Sequence, residues 1–322
     1  MGNDIRYMPE KLETAKNFAN KIWNASKFVL MNLEDYEYKK EEIQLTVEDK
    51  WILSKLNKLI KDVCINLDNY NLGVAIDNIY EFIWNEFCDW YVEMVKPRLY
   101  DKENKTRMTA QYVLEKVLSD SLKLLHPFMP FLTEKIYKNL PKIEKSIMIS
   151  EYPKYNNNDI YVDEEIYIEE IKIIVKEIRN ARANMSVHPS KKSKLIVVTK
   201  RYSKIISESE EVLKKLCFAN TIIVKQEDKD IPENSISILS SNIKVFIPFE
   251  ELIDIEEELQ RLEKEKEKIL EEKEWTDKML RNEGFLKKAP VNKIEEIKIK
   301  DNELNEKLNN IEDRIKQLNE MV

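Results

Sequence analysis

The sequence predicts a mainly α protein in three parts: a helix bundle over residues 1–157, a small α/β domain over 158–249, and a C-terminal antiparallel coiled-coil hairpin over 250–322. Three observations predict it. Only three of the 322 residues are glycine, while 43% are apolar and 35% charged, a balance that suits long helices around packed cores. Apolar residues recur at helical spacing through the first half and at heptad spacing through the last quarter. Between the two lie short β-branched runs bounded by turn residues.

In the bundle, Asn17 to Leu33 places Phe18, Ile22, Trp23, Phe28, Val29 and Leu33 on or near one stripe, with Asn20, Lys21, Asn24 and Lys27 interleaved. Thr46-Val-Glu-Asp49 reads as a capping box. It opens a helix carrying Trp51, Ile52, Leu56, Leu59, Ile60, Val63 and Leu67. After the turn Asn69 to Gly73, a third helix carries Ala75, Ile79, Phe82, Ile83, Phe87, Trp90 and Val95, its regular part bounded by Pro97. A fourth runs from about Thr106 to Leu125 and stops at His126-Pro127; a shorter one follows Pro130. Five such helices make a bundle.

The α/β domain opens on a helix from Asp163 to Met185. Short runs at 194–199, 221–225, 235–239 and 244–248 then predict a sheet of three or four strands, with a helix around Ser203 to Phe218 between the first two. In the last part, Leu252, Ile255, Leu259, Leu262 and Ile269 keep a 3,4 spacing that Leu280 rejoins after polar Lys266, Lys273 and Thr276. Ile294, Ile297, Leu304, Leu308, Ile311, Ile315, Leu318 and Val322 continue it, with Asp301 the one polar residue. The two seams flank Asn282-Glu-Gly-Phe-Leu-Lys-Lys-Ala-Pro290, whose Gly and Pro break helix, so they can pair with each other. A monomer is expected; antiparallel heptads also allow a dimer formed by exchanging arms.

Charge and chemistry exclude several functions. With so few glycines, no Gly-rich phosphate loop can be written. Cys64, Cys88 and Cys217 are far apart and form no C-x-x-C, which argues against zinc and disulfides and for buried thiols in a reducing cytoplasm. No apolar run is long enough to span a membrane and the start lacks a signal core, so a cytoplasmic location and no membrane partner are expected. His126 and His188 each precede a proline; the first reads as structural, the second lies in an exposed basic loop, and neither belongs to a nucleophilic triad. The net charge of −7 resides entirely in residues 250–322, which hold 15 basic and 22 acidic side chains. Residues 179–204 hold eight basic side chains and no acidic one, and residues 278–300 seven basic against three acidic. Screening over about 8 Å makes such local patches, rather than the sum, decide binding. Basic patches interleaved with aromatics suit single-stranded RNA loops, whose bases stack on aromatic and Arg side chains.

Four segments carry a resemblance. Asn3-Asp-Ile-Arg6 with Asn17-Phe-Ala-Asn-Lys-Ile-Trp-Asn-Ala-Ser-Lys-Phe28 is similar to the start of the anticodon-binding domain of the valyl-tRNA synthetase family. Leu125-His-Pro-Phe-Met-Pro-Phe-Leu-Thr-Glu134 resembles a signature shared by valyl, isoleucyl and leucyl synthetases. Ile178 to Lys192 resembles the valyl linker, and Asn282 to Pro290 within a coiled coil resembles the valyl enzymes specifically. The resemblance spans the chain, in family order. The H-I-G-H and K-M-S-K-S signatures of this class are missing, so the resemblance implies the C-terminal part of a valine–tRNA ligase without its catalytic and editing domains. No cofactor is then expected in this chain, since ATP and Mg would bind the catalytic domain. The three scattered cysteines do not supply the zinc module of isoleucyl relatives.

The resemblance implies valine tRNA as partner, and no DNA. The bundle would receive the anticodon stem and loop, and the arm would lie against the outer corner of the tRNA. Expected contacts are Lys287 and Lys288 at the arm's tip with Lys278 and Arg281 beside them; Asn24, Lys27 and Phe28 in the bundle with Lys96 and Arg98; and Arg179, Arg182, Lys191 and Lys192. The alternatives are a coiled-coil interaction scaffold with no RNA role, and the equivalent part of an isoleucyl or leucyl synthetase. The acid-free segment 179–204 counts against the scaffold.

Overall fold

A computed structural model of the chain describes residues 8–141, 144–185, 187–188, 190–232, 234–252, 255–282 and 290–319. Contacts gather the chain into two units: one running through residue 181 together with 194–231 and 237–246, the other formed by 182–193, 232–236 and 247–322.

The first unit contains the bundle. Helix α1 (Pro9–Asn32) begins well before Asn17, because Pro9 fits a first turn in which no backbone N–H is needed. Helix α2 (Val47–Asp68) opens on the predicted capping box, the Thr46 N–H donating to Asp49 Oδ2 at 3.0 Å. Helix α3 (Leu72–Glu81) passes through a π-helical stretch, Phe82–Tyr91, into α4 (Val92–Tyr100). Here the structure corrects the sequence: Pro97 lies inside the last turn rather than bounding the helix. Proline withholds only its own N–H, and its carbonyl still accepts from the Asp101 N–H at 3.3 Å. Helices α5 (Arg107–Leu125) and α6 (Pro130–Tyr137) complete the bundle. Phe18 meets the Tyr80 ring and Phe28 meets Lys96, so α1 and the 72–100 helix run parallel. Asp49 meets Arg98, and Gln111 donates to the Asn32 carbonyl, so α2 and α5 run the opposite way. Trp51, Ile52, Leu56, Ile79, Ile83, Phe87 and Leu114 fill the interior.

Helix α7 (Val162–Asn184) serves both the bundle and the sheet. Toward the bundle, Glu164, Glu165 and Glu169 receive Lys50, Lys58 and Lys55 of α2 at 3.0, 2.6 and 2.9 Å. Lys172 lies 2.8 Å from Glu86 and over the rings of Trp51 and Trp90. Toward the sheet, Glu170 accepts from the Ser240 hydroxyl, the Asn242 N–H and the Asn242 side chain at 3.2, 3.2 and 2.5 Å. All four expected strands form: β1 (Ser193–Val198), β2 (Ala219–Lys225), β3 (Ser235–Leu239) and β4 (Lys244–Pro248), in the order β2-β1-β4-β3. β1 and β4 are antiparallel, Ile196 facing Phe246. The single helix expected between β1 and β2 is two, α8 (Ser203–Glu208) and α9 (Glu210–Cys217), separated at Ser209.

In the second unit, a short α10 (Phe249–Leu252) precedes the arm, formed by α11 (Ile255–Arg281) and α12 (Val291–Asn319) packed antiparallel. Leu262 and Ile269 are buried on one strand of the hairpin and Ile297, Leu304 and Ile311 on the other. The polar interruptions meet inside the seam. The fully buried Thr276 hydroxyl donates to Asp301 Oδ1 at 2.6 Å, Asn305 Nδ2 donates to Asp301 Oδ2 at 3.2 Å, and Lys273 donates to the Asn305 amide oxygen. Rungs from Lys266 to Glu312 and from Lys300 to Glu272 border the seam.

Candidate nucleic-acid interface

The expected contacts divide by what their side chains touch. On α1, Asn24 and Lys27 are exposed and Phe28 is half-buried. Lys27 lies over the Trp23 ring at 5.6 Å, and Lys96 of α4 over the Phe28 ring at 5.5 Å. These four residues therefore gather toward the end of the bundle where α1 and α4 finish. Met31 and Tyr100 are 70% and 66% exposed on the same two helix ends. Lys96 is also paired with Glu93 of its own helix, so an exposed amide, the Lys27 ammonium and the half-buried Phe28 ring are what this end offers to a base and a phosphate. Further up α1, Phe18 is buried against Tyr80 and Trp84, with Lys21 over Trp84 at 3.8 Å and paired to Asp89 at 2.6 Å.

Two arginines expected at the interface are interior instead. Arg98 is buried: its guanidinium donates to both Asp49 oxygens at 2.9 Å, to Thr46 Oγ1 at 3.1 Å, and to the Thr106 hydroxyl and carbonyl at 2.9 Å. Burial alone would lower its pKa, but the Asp49 carboxylate raises it. Arg182 is also buried, donating to Ser193 Oγ and the His188 carbonyl at 3.3 Å and to the Lys191 carbonyl. It folds the loop after α7 around itself. Neither guanidinium can reach an RNA; both hold backbone in place.

Arg179 is exposed, with Nε donating to the Leu216 carbonyl at 3.1 Å. On the Arg182 loop, Lys191 is half-buried and Lys192 exposed. Near the end of α11, Lys278 and Arg281 are exposed, Lys278 pairing with Glu274 at 2.7 Å. Lys287 and Lys288 lie outside the described residues. His126 is structural, its Nδ1 2.7 Å from the Thr133 hydroxyl. Among the described residues, no three His, Cys, Asp or Glu side chains gather in a metal-holding group, and no helix is long and apolar enough to cross a membrane.

Residues 49–198 match the anticodon-binding domain of tRNA ligases, and residues 254–319 match the valyl-tRNA synthetase tRNA-binding arm. The valine–tRNA ligase of Clostridium acetobutylicum is 42% identical over 321 residues, a match covering 98% of this chain and 36% of that protein. Those of Clostridium tetani (40% over 319 residues, 98% and 36%) and Carboxydothermus hydrogenoformans (42% over 299 residues, 90% and 33%) are similar.

The chain belongs to the valyl-tRNA synthetase family.

It spans about a third of the length of these relatives and corresponds to the C-terminal, non-catalytic region of the valyl-tRNA synthetase family. Within that family region, the matched anticodon-binding segment includes Lys96 as well as the interior Arg98 and Arg182, and the matched arm includes the Thr276–Asp301–Asn305 seam. Met31 and Tyr100, exposed beside these residues, carry no charge, so no compositional signal in the sequence separates them from ordinary surface.

Proposed function

We propose that this chain is the tRNA-holding part of a valine–tRNA ligase. The end of the bundle at Asn24, Lys27, Phe28 and Lys96 receives the anticodon stem and loop of valine tRNA. The arm, through Lys278, Arg281 and the tip residues Lys287 and Lys288, lies against the outer corner of the same RNA. Together they present the acceptor end to the catalytic part of the enzyme, which attaches valine using ATP and Mg in the cytoplasm. This chain acts as a monomer and binds neither cofactor itself.

The observation that carries the reading is the gathering of Phe28, Lys96, Lys27 and Asn24 at one end of a bundle that matches an anticodon-binding domain. Stacking a base on the Phe28 ring needs no sequence-specific partner, while Asn24 can donate to and accept from a base edge. Binding of the 322-residue chain to valine tRNA and to a non-cognate tRNA, at 50 and 200 mM salt, tests it. A cognate preference that survives the higher salt supports base recognition, because phosphate contacts alone weaken steeply with salt and do not discriminate. Equal binding that collapses with salt overturns anticodon reading by this chain. Absence of binding at both salts overturns the tRNA-holding role.

A further inference from the structure

The α/β domain reaches the same end of the bundle. Helix α9 packs against α4, and the Lys215 ammonium lies 5.6 Å from the centre of the exposed Tyr100 ring. Tyr100 is one helical turn beyond Lys96, so the two ammonium groups flank one stretch of α4. The two neighbouring lysines of α9 differ. Lys214 pairs with Glu210 at 2.8 Å and Glu211 at 3.1 Å, on its own helix. Lys215 pairs with none of the described carboxylates and projects over Tyr100 instead. Partial burial lowers its pKa; Glu93 opposes that, and the nearby Lys96 charge lowers it further. Lys215 is thus a cation held over Tyr100 without a carboxylate partner among the described residues, one helical turn from a Lys96 that Glu93 pairs.

The chain continues the strip past Lys215. Arg179 donates to the Leu216 carbonyl at 3.1 Å and lies over the Phe218 ring at 5.9 Å. Phe218 closes α9 with φ 54° and ψ 45°, a left-handed cap conformation in which glycine is usual and a bulky side chain is an outlier. Lys96, Tyr100, Lys215, Phe218 and Arg179 therefore alternate cation and ring from the bundle onto the α/β domain. The only carboxylate paired to this set among the described residues is Glu93, which takes Lys96.

We infer that Lys215, held over Tyr100 near Lys96, leads a phosphate-binding strip that grips the RNA backbone beside the bases read at Phe28. This rests on the tRNA-holding reading and gives the α/β domain a direct part in it. Lys215 is then a backbone contact: it adds affinity and salt dependence without reading sequence.

The test compares the full chain with Lys215→Ala and with Lys214→Ala, titrating valine tRNA and a non-cognate tRNA across 50–200 mM salt. Thermal melting of each variant is followed alongside. Lys215→Ala is expected to weaken binding to both tRNAs about equally and to lower the slope of log affinity against log salt by about one. Lys214→Ala, whose ammonium is already paired on its own helix, is expected to keep the wild-type slope. The melting temperature of both variants should stay close to wild type, since neither side chain belongs to the core. If the wild-type chain binds tRNA and Lys215→Ala binds with the same slope, the strip is refuted and the tRNA-holding reading survives. A wild-type chain that binds no tRNA refutes both.

Discussion

Arg98 of α4 and Asp49 of α2 share two parallel hydrogen bonds of 2.9 Å in the interior of the bundle, where Tyr91 also donates its hydroxyl to the same carboxylate at 2.7 Å. Asp49 is at once the third residue of a capping box, the ion-pair partner of the neighbouring helix and the acceptor of a buried phenol. Burial and then the Asp49 charge push the Tyr91 phenol well above its ordinary pKa, so it stays a donor. The pair fixes the end of the bundle at which Phe28 and Lys96 meet.

Removing one member should therefore unfold more than it releases. Arg98→Ala leaves an uncompensated carboxylate in the interior and is expected to cost about 3–5 kcal/mol. Joint replacement, Asp49→Leu with Arg98→Met, should cost much less, because no buried charge is left without a partner. Urea denaturation of the three chains measures this.

The arm's polar seam should set register rather than strength. Asp301→Ala leaves the Thr276 hydroxyl only the Lys273 carbonyl at 2.9 Å and removes the acceptor of the Asn305 amide, at an expected cost of about 1 kcal/mol. Replacing Thr276, Asp301 and Asn305 together with apolar residues should stabilise the hairpin while letting it slip or exchange between copies, as polar residues in heptad seams specify pairing. Light scattering across concentration reads that out: wild type stays a monomer, and the apolar variant shows a growing dimer fraction.

Acid should loosen the contact between α7 and α2. Burial alone would raise the Glu169 carboxyl, but the hydrogen bond from Lys55 and the Lys172 charge hold it below its ordinary value. A depressed carboxylate contributes stability that is complete above the ordinary carboxylate range and is lost as pH falls through the folded value. Melting temperature should fall with pH in that window, and Glu169→Gln should flatten the dependence by about 0.5 kcal/mol, the scale of a partly exposed pair.

Thiol reactivity should be slow at Cys88. Burial pushes its pKa up to about 12, outweighing the Lys21 charge that lowers it. The raised value also means that its stabilising contribution is intact below the ordinary thiol pKa of 9.0 and fades as pH climbs toward 12. At about pH 8 a thiol-directed reagent is expected to modify Cys64, which is less deeply placed, before Cys88; mass spectrometry of timed samples distinguishes them.

The helices and strands were legible because their periodicities are strong, and the capping box because its two ends are three residues apart. The interior places of Arg98 and Arg182 are legible too when periodicity is weighed against charge. Arg98 follows Tyr91 and Val95 at steps of four and three; Arg182 follows Ile171, Val175 and Ile178 at four, three and four. Each thus lies on the buried stripe of its own helix. The π-helical stretch had no such signal, since its residues fit an α spacing almost as well. Nor could spacing show that Thr276 and Asp301, breaks in their two seams, and Asn305 would complete one another across a hairpin. Lys214 and Lys215 look alike in the sequence; only the packing of α9 on α4 tells them apart.

Helix α7 has a practical consequence for dissection. A composition change near residue 158 invites a cut there, yet α7 covers Trp51 and Trp90 with Lys172 and also pins the loop before β4 through Glu170. A fragment ending before Val162 would bare the tryptophan side of the bundle and leave Lys50, Lys55 and Lys58 without their carboxylates. Such a piece is expected to clump. The smallest soluble portion is expected to extend through β4 at Pro248, so that the sheet travels with the bundle.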